Sequence, residues 1–347
     1  LALQAAGQLR LEAVQLADSL GDVDLGYDLR GRLISAATFS SRADIALVAF
    51  SWCVAQYDRD PQRFSRYDLL WKYKWIVGAA GEFPEIPRER IERLLDDMER
   101  RYRESGSTLH AVMQERRAFF MDIGDIEGAK KMHAEFRKLR RDYLSDCPAC
   151  LPGHDCNYYS FLGHWNRAVN AARPVIEGSL TCHSQPANIL GDVLFPLFRL
   201  GRIEEAKEHQ RRGYRLATRD SHLVGAHAQN LEFVVLVGEF AQAKRIVERH
   251  LPGALKAAML PQRFDFLLAA RLWTDRLLAR NMRAAKIRLP QGLPAPGGGG
   301  KVDVEGLGDW FLAEARSIGR RFGARNGTDY YQRQIDDLPN LLDLAID

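Results

Sequence analysis

Apolar and charged positions follow the period of amphipathic helices along this chain, and the helices come in pairs. Apolar stretches such as Ile189–Leu200 and Leu223–Val237 are each followed by a more charged stretch, as in Ile203–Leu216 and Ala241–His250. The first helix of each pair is therefore predicted to be buried, and the second to have one face in solvent. Since no β-rich stretch separates the pairs, the pattern predicts an all-α protein.

A short motif, glycine followed five residues later by alanine, stands between the two helices of a pair. It begins at Gly124, Gly163, Gly201 and Gly238, in GDIEGA, GHWNRA, GRIEEA and GEFAQA, and the copies are 39, 38 and 37 residues apart. Glycine suits a tight turn between helices because it adopts positive φ without strain. The small alanine lets the second helix approach the first closely. The spacing predicts a tandem array of helical hairpins.

The segments LGRIEEA, VGEFAQA and LGHWNRA resemble the turn of the tetratricopeptide-repeat (TPR) superfamily. The units here are longer than the family's repeat of about 34 residues. Leu190 and His227 stand at the tryptophan position of the family's Trp-Leu-Gly motif, which is missing. The resemblance implies a divergent, TPR-like right-handed superhelix over residues 1–252, with a concave groove that binds a protein or peptide segment.

The repeat period ends near Pro252. Residues 253–288 include the amphipathic segment PQRFDFLLAARLWTDRLLAR, which is predicted to be a capping helix over the apolar face of the last repeat. The proline and glycine content of LPQGLPAPGGGG predicts a flexible linker over residues 289–303. Residues 304–347 are predicted to be a C-terminal helical segment.

Composition narrows the class of protein. The chain has 347 residues, of which 46% are hydrophobic and 27% charged, values typical of a water-soluble globular protein. No apolar run is long enough to span a bilayer, and no secretory leader is visible, so we expect a cytoplasmic protein without a membrane partner. A net charge of +4 is too small to indicate a nucleic-acid partner. The oligomeric state is not predicted.

Four cysteines form the clearest candidate site. Cys147, Cys150 and Cys156 lie within DCPACLPGHDC, and Cys182 follows later. A CxxC turn directs two sulfur atoms to one point, where they can bind a tetrahedral metal ion. Cys147 and Cys182 precede their turn glycines by 16 and 19 residues, so both lie at the start of a first helix in adjacent units. The four thiols are therefore predicted to bind one structural Zn²⁺ that links two repeats.

Alternatives to this zinc site stay open. His154 or His183 could replace one thiolate. The cysteines could instead be free thiols or redox groups, although the thioredoxin-type CxxC needs a strand-to-helix setting. A catalytic zinc would need an open coordination position and a nearby acid or base, which Asp146, Asp155 or His154 could supply. Cys53 lies in an apolar helix and is predicted to be a core residue.

Polar residues that interrupt the apolar first helices are candidates for the predicted groove. They are Asn157, Asn188, Asp192, His227 and Asn230. Asparagine can pair with a peptide backbone because its amide both donates and accepts hydrogen bonds. These side chains could also cap helices or face water.

Two functions are therefore expected from the sequence. The first is an interaction module with a structural zinc ion that binds a protein or peptide segment. The second is a zinc-dependent enzyme, or an essential enzyme subunit, on the same scaffold. Four protein ligands would favour the first function, and three ligands with water would favour the second. A third interpretation is a signalling regulator with an effector domain upstream of Leu1.

Overall fold

The computed structural model describes residues 2–38, 42–182, 184–218, 223–291, 293 and 301–346, with side chains from residue 9 onward. This part of the chain is helical almost throughout, which confirms the predicted all-α class. It divides into two compact units, Leu1–Ser145 and Asp146–Asp347. The division between them lies inside the region 1–252 that the repeat pattern covers.

Each helix of the first unit packs against its neighbour in the sequence. The even-numbered helices α2, α4 and α6 contact one another in sequence order, and the odd-numbered helices pack against them. Cys53 is buried in this core, as predicted. The helices are α1 (Ala2–Ser19), α2 (Val23–Thr38), α3 (Ala43–Arg59), α4 (Arg66–Gly81), α5 (Arg88–Glu104), α6 (His110–Asp122) and α7 (Ile126–Phe136).

The second unit continues the helical pairs and holds the cysteine segment. Its helices are α8 (Leu151–Phe161), α9 (Trp165–Ile176), α10 (Ala187–Asp192), α11 (Leu194–Arg199), α12 (Ile203–Ala217), α13 (Val224–Leu236), α14 (Phe240–Lys256), α15 (Leu260–Ala279), α16 (Val304–Asn326), α17 (Tyr330–Asp336) and α18 (Leu338–Leu344). Two short strands, β1 (Ala284–Ala285) and β2 (Val302–Asp303), pair antiparallel, with Ala284 opposite Asp303.

The glycine–alanine motif marks the turns that it predicts. All four motif glycines adopt positive φ, between 70° and 75°. The four alanines that follow them are fully buried: Ala129, Ala168, Ala206 and Ala243 each have 0% exposure. Each motif therefore separates the two helices of a hairpin and allows them to pack closely.

One predicted first helix is divided in two. The expected helix Ile189–Leu200 is present as α10 and α11, which separate at Val193. Pro196 explains the division, because proline lacks an N–H group and its ring crowds the carbonyl group four residues earlier, which belongs to Asp192.

The first helices of successive pairs lie side by side. α8 contacts α10, α10 contacts α13, and α13 contacts α15, while α16 packs on α15. The predicted capping segment thus forms α15, and the C-terminal helices belong to the same unit. Of the predicted linker 289–303, residues 292 and 294–300 lie outside the described part of the chain, and residues 302–303 form β2.

Candidate metal centre

Three cysteines lie on two segments that each precede a first helix. Cys147 and Cys150 form a tight turn before α8, in which the backbone N–H of Cys150 donates to the carbonyl of Cys147 at 3.0 Å. Pro152 lies in the first turn of α8, a position that proline favours. Cys182 precedes α10, and its N–H donates to the carbonyl of Gln185. The two segments are therefore shaped locally, by turn and helix-start geometry.

The sulfur atoms of these three cysteines meet at one point. The Cys147 and Cys150 sulfurs are 3.2 Å apart, and the Cys150 and Cys182 sulfurs are 3.6 Å apart. All three lie within 4.8 Å of one another and are partly buried. Thiolates about 2.3 Å from a shared tetrahedral ion would lie about 3.8 Å from each other. The three cysteines, all of them free thiols, could therefore bind a metal ion.

A glycine allows the two cysteine segments to approach. A Cβ atom at Gly153 would lie 3.1 Å from Nε2 of Gln185 and 3.9 Å from the side chain of Ile189. Gln185 is itself buried, and its Oε1 accepts a hydrogen bond from the backbone N–H of Ile189 at the start of α10. The beginning of α8 thus packs directly on the segment that carries Cys182.

The thiols affect one another's ionisation. Burial opposes ionisation of Cys147, but hydrogen bonds from the Cys150 thiol, from the backbone N–H groups of Cys150 and Ala149, and from the Cys182 thiol outweigh it and lower its pKa. Burial raises the pKa of Cys150, and so does the negative charge of the neighbouring sulfur. A bound cation would remove this conflict, because it stabilises several adjacent thiolates at once.

The predicted fourth thiolate, Cys156, does not belong to this group of sulfurs. It is fully buried on α8 within the hydrophobic core of the second unit. Burial raises the pKa of its thiol, and so does the nearby charge of Asp192. The physical reason is helix phase: Cys150 precedes α8, whereas Cys156 lies more than one turn inside it on the buried face.

The structure describes one of the two histidines that were predicted as substitute ligands, His154, but not the other, His183. Nε2 of His154 lies 3.0 Å from a carboxylate oxygen of Asp146, and the side chain is partly exposed on the first turns of α8. His154 is not among the three close ligands. His183, next to Cys182 in the sequence, lies outside the described residues.

Two of the predicted groove residues lie together on one face of the second unit. Asp192, at the end of α10, accepts a hydrogen bond from Nε2 of Gln229 on α13 at 2.9 Å. Asn157 on α8 is exposed and lies near enough to Asp192 to favour its ionised form. Burial raises the pKa of Asp192 to about 6, against the opposing effects of Gln229, His154 and Asn157. A polar row therefore crosses three successive first helices.

Two other predicted groove residues, His227 and Asn230, are not on that face. Both are 1% exposed, so the prediction that they line a groove is wrong. Nε2 of His227 lies 3.1 Å from the carbonyl oxygen of Ala217, and its ring stacks on His250 of α14. Asn230 accepts a hydrogen bond from Gln210 of α12. These side chains point towards the second helices, since α13 is buried on two sides.

The remaining predicted residue, Asn188, is partly buried in the first turn of α10. Its backbone N–H donates to the carbonyl of Ser184 at 3.2 Å, which begins the helix.

The sequence analysis missed the polar residues of α13 and α15 that extend the row. Glu232 lies one turn after Gln229 on α13, and burial together with the charge of Asp265 on α15 raises its pKa to about 7. Gln262 on α15 accepts a hydrogen bond from the backbone N–H of Gly225. Gly225, Gln229 and Glu232 are four and three residues apart, so they share one face of α13, which differs from the face of His227. This spacing is the sequence signal that could have identified the row.

Comparisons with known proteins do not add to this picture. No protein-family model matches the chain, and no curated protein matches it significantly. Across the part of the chain that the structure describes, no helix combines the length and apolar character needed to traverse a bilayer. The function of the chain is therefore inferred from its own residues.

Proposed function

We propose that this protein is a TPR-like interaction module in which a structural zinc ion links two consecutive helical hairpins. The observation that carries the proposal is the meeting of Cys147, Cys150 and Cys182, whose sulfurs come from segments 32 residues apart in sequence. The helical pairs would follow a right-handed superhelix, as the resemblance implies. The face crossed by the polar row would bind a polypeptide segment in the cytoplasm, where thiols stay reduced.

Zinc is the metal that this donor set favours. Soft thiolates select zinc, copper(I) or iron–sulfur clusters, and tetrahedral zinc accepts mixed thiolate and imidazole ligands. His154, one helical turn after Cys150, His183 or a water molecule would complete the coordination. Such an ion would hold the start of α8 against the segment before α10, and would thereby fix the arrangement of two first helices.

The metal content of the purified protein tests this part of the proposal. We expect about one zinc ion per chain by elemental analysis, and three sulfur neighbours at about 2.3 Å by X-ray absorption spectroscopy. Cys147→Ser and Cys182→Ser should lose the ion, whereas Cys156→Ser should retain it. A zinc-free protein that fails to bind added zinc, or a variant series in which Cys156 matters as much as Cys182, would contradict the proposal.

The polar row gives the chemistry of the proposed partner. Asn157 and Gln229 present amide groups that both donate and accept hydrogen bonds, as an extended peptide backbone requires. Asp192, Glu232 and Asp265 add carboxylates along the same series of first helices. We therefore propose a segment with basic side chains, which the carboxylates would attract.

Peptide binding tests the role of this face. An array of short peptides that differ in lysine and arginine content would be probed with the full-length, zinc-loaded protein. We expect basic peptides to bind, and Asp192→Asn with Glu232→Gln to weaken that binding at least about tenfold. Glu204→Gln, an exposed change at the start of α12, is the matched control. Equal binding of neutral peptides, or no effect of the double variant, would contradict the proposed face.

A zinc-dependent enzyme, or an essential subunit of one, is the alternative function. It is favoured by one observation: the three-sulfur group does not include a fourth described ligand, while the Asp146–His154 pair lies on the same segment. Three protein ligands with an exchangeable water are typical of catalytic zinc. An oxygen neighbour in the zinc absorption spectrum that azide or cyanide displaces would favour this alternative, whereas a fourth protein ligand would exclude it.

A further inference from the structure

The first unit contains a cavity that is separate from the cysteine site. It has a volume of about 630 Å³ and is bounded by α3, α4 and α5. α4 contacts both α3 and α5 and forms the floor between them. Cavities of 300–1,000 Å³ with mostly apolar walls and few polar groups are the usual setting for small-molecule binding.

The floor and walls of this cavity are apolar. Phe50 and Val54 line it from α3, Ile76 and Ala80 from α4, and Leu94 from α5. Each helix contributes residues three, four or seven positions apart, which form one continuous stripe along its face. Val48, at the rim, is 75% exposed, an unusual position for a valine on a helix that packs in the core. The surface is therefore suited to an aliphatic group.

Two arginines on α5 give one side of the cavity a positive charge. Arg90 and Arg93 line it, are exposed, and have no carboxylate partner among the described residues. Other arginines of this helix do have such partners. Arg88 pairs with Glu92, Arg100 with Glu104, Arg101 with Asp58, and Arg103 with Glu99. The unpaired arginines are thus concentrated at the cavity.

The acidic residue of the cavity does not offset this charge. Asp97 accepts hydrogen bonds from the Tyr73 hydroxyl and from Arg101, and it also pairs with Arg100. Burial raises the pKa of Asp97, but these partners outweigh burial and lower it. Its charge is therefore already balanced, and Arg90 and Arg93 remain available to an anion.

We propose that this cavity binds a small amphipathic carboxylate, with an aliphatic chain on the α4 floor and its carboxylate at Arg90 and Arg93. Guanidinium groups match carboxylates because they donate two parallel hydrogen bonds. The apolar walls supply the affinity for the chain, and the arginines supply the preference for a negative head group.

Calorimetric titration of the full-length protein with octanoate tests this proposal. We expect saturable binding that tightens about fourfold for each CH₂ from butanoate through hexanoate to octanoate. Octan-1-ol, which has the same chain without the charge, should bind at least about tenfold more weakly. No binding of octanoate, or equal binding of the alcohol, would overturn the proposal.

Variants locate the binding and separate it from folding. Arg90→Gln with Arg93→Gln should weaken octanoate binding about tenfold or more, whereas Arg103→Gln on the same helix should not. Ser51→Trp, at an exposed position that lines the cavity, should fill it and abolish binding while the circular dichroism stays unchanged. Unchanged octanoate affinity in either the double arginine variant or Ser51→Trp would overturn the proposed site.

Discussion

The strongest test of the proposed metal centre is the stability of the second unit with and without the proposed zinc ion. We expect Cys182→Ser, or removal of zinc by a chelator, to lower the free energy of unfolding of this unit by about 4 kcal/mol. The magnitude follows from the structure. Cys150 and Cys182 are 32 residues apart, and a cross-link that closes a loop of this length removes about 4 kcal/mol of chain entropy from the unfolded state.

Differential scanning calorimetry measures this effect directly. For a unit of the size of residues 146–347, 1 kcal/mol shifts the melting temperature by about 2–4 °C. A loss of 4 kcal/mol therefore predicts a decrease of about 8–16 °C when a chelator is added to the wild-type protein under reducing conditions. Hydrogen exchange followed by mass spectrometry should show faster exchange in α8 and α10, the two helices next to the cysteines.

The matched control is Cys156→Ser. This change introduces a hydroxyl into the core, so it lowers the melting temperature by itself. However, the additional decrease caused by the chelator should remain, since Cys156 is not one of the three close sulfurs. In Cys182→Ser the chelator should have no further effect. A chelator response that survives in Cys182→Ser and disappears in Cys156→Ser would refute this account of the site.

Three further predictions concern other parts of the chain. Burial raises the pKa of Asp192 from 3.8 to about 6, so its charge destabilises the folded state above pH 6 and not below pH 4. In urea unfolding, Asp192→Asn should therefore raise the free energy of unfolding by up to about 3 kcal/mol at pH 8 and leave it unchanged at pH 4. Gly153→Val should weaken zinc binding about tenfold in a chelator competition, because the valine side chain would collide with Gln185. Unchanged zinc affinity would mean that the two cysteine segments need not approach each other so closely. Arg101→Ala should destabilise the first unit by about 2 kcal/mol in chemical unfolding, because buried Arg101 bonds both carboxylate oxygens of Asp58; an effect below about 0.5 kcal/mol would contradict this.

The hairpins of the second unit were predictable because their turns leave a local signature. A turn that needs positive φ selects glycine, and a close helix crossing selects a small residue, as at Gly163 and Ala168. The turn between α4 and α5 does not have this combination of a turn glycine and a small residue. Gly81 is the last residue of α4, and the following turn contains Pro84 and Pro87 instead. The motif therefore identifies only those hairpins that share one turn geometry.

The sequence predicts which candidate site residues lie at equivalent places in successive helical pairs, but not which face of a helix each side chain occupies. Cys147 and Cys182 were correctly expected to meet because both precede first helices of adjacent units. Whether Cys156 can be the fourth ligand depends on the face of α8 that it occupies. The spacing of the cysteines in the sequence does not determine that face. The same limit applies to His227, which is polar within an apolar helix but lies between α13 and α14. Because α13 is buried on two sides, a polar residue in it can face a second helix, as His227 does, or a neighbouring first helix, as Gln229 does.

The repeat period explains the contacts of the polar row, which begins beside the candidate metal centre. Hydrogen bonds join Asp192 to Gln229 and Gly225 to Gln262, and in both cases the partners are 37 residues apart. That offset equals the spacing between the last two turn motifs, so equivalent positions of successive hairpins are in contact. The same offset also relates α13 to α15, although α15 lies after the last copy of the glycine–alanine motif. This offset explains why residues distant in sequence meet as a row of polar groups. The thiols do not follow it, since Cys150 and Cys182 are 32 residues apart; they meet because both segments precede first helices of adjacent units. An ion that fixes the offset between α8 and α10 would consequently also fix the beginning of that row, which couples zinc binding to the proposed binding face.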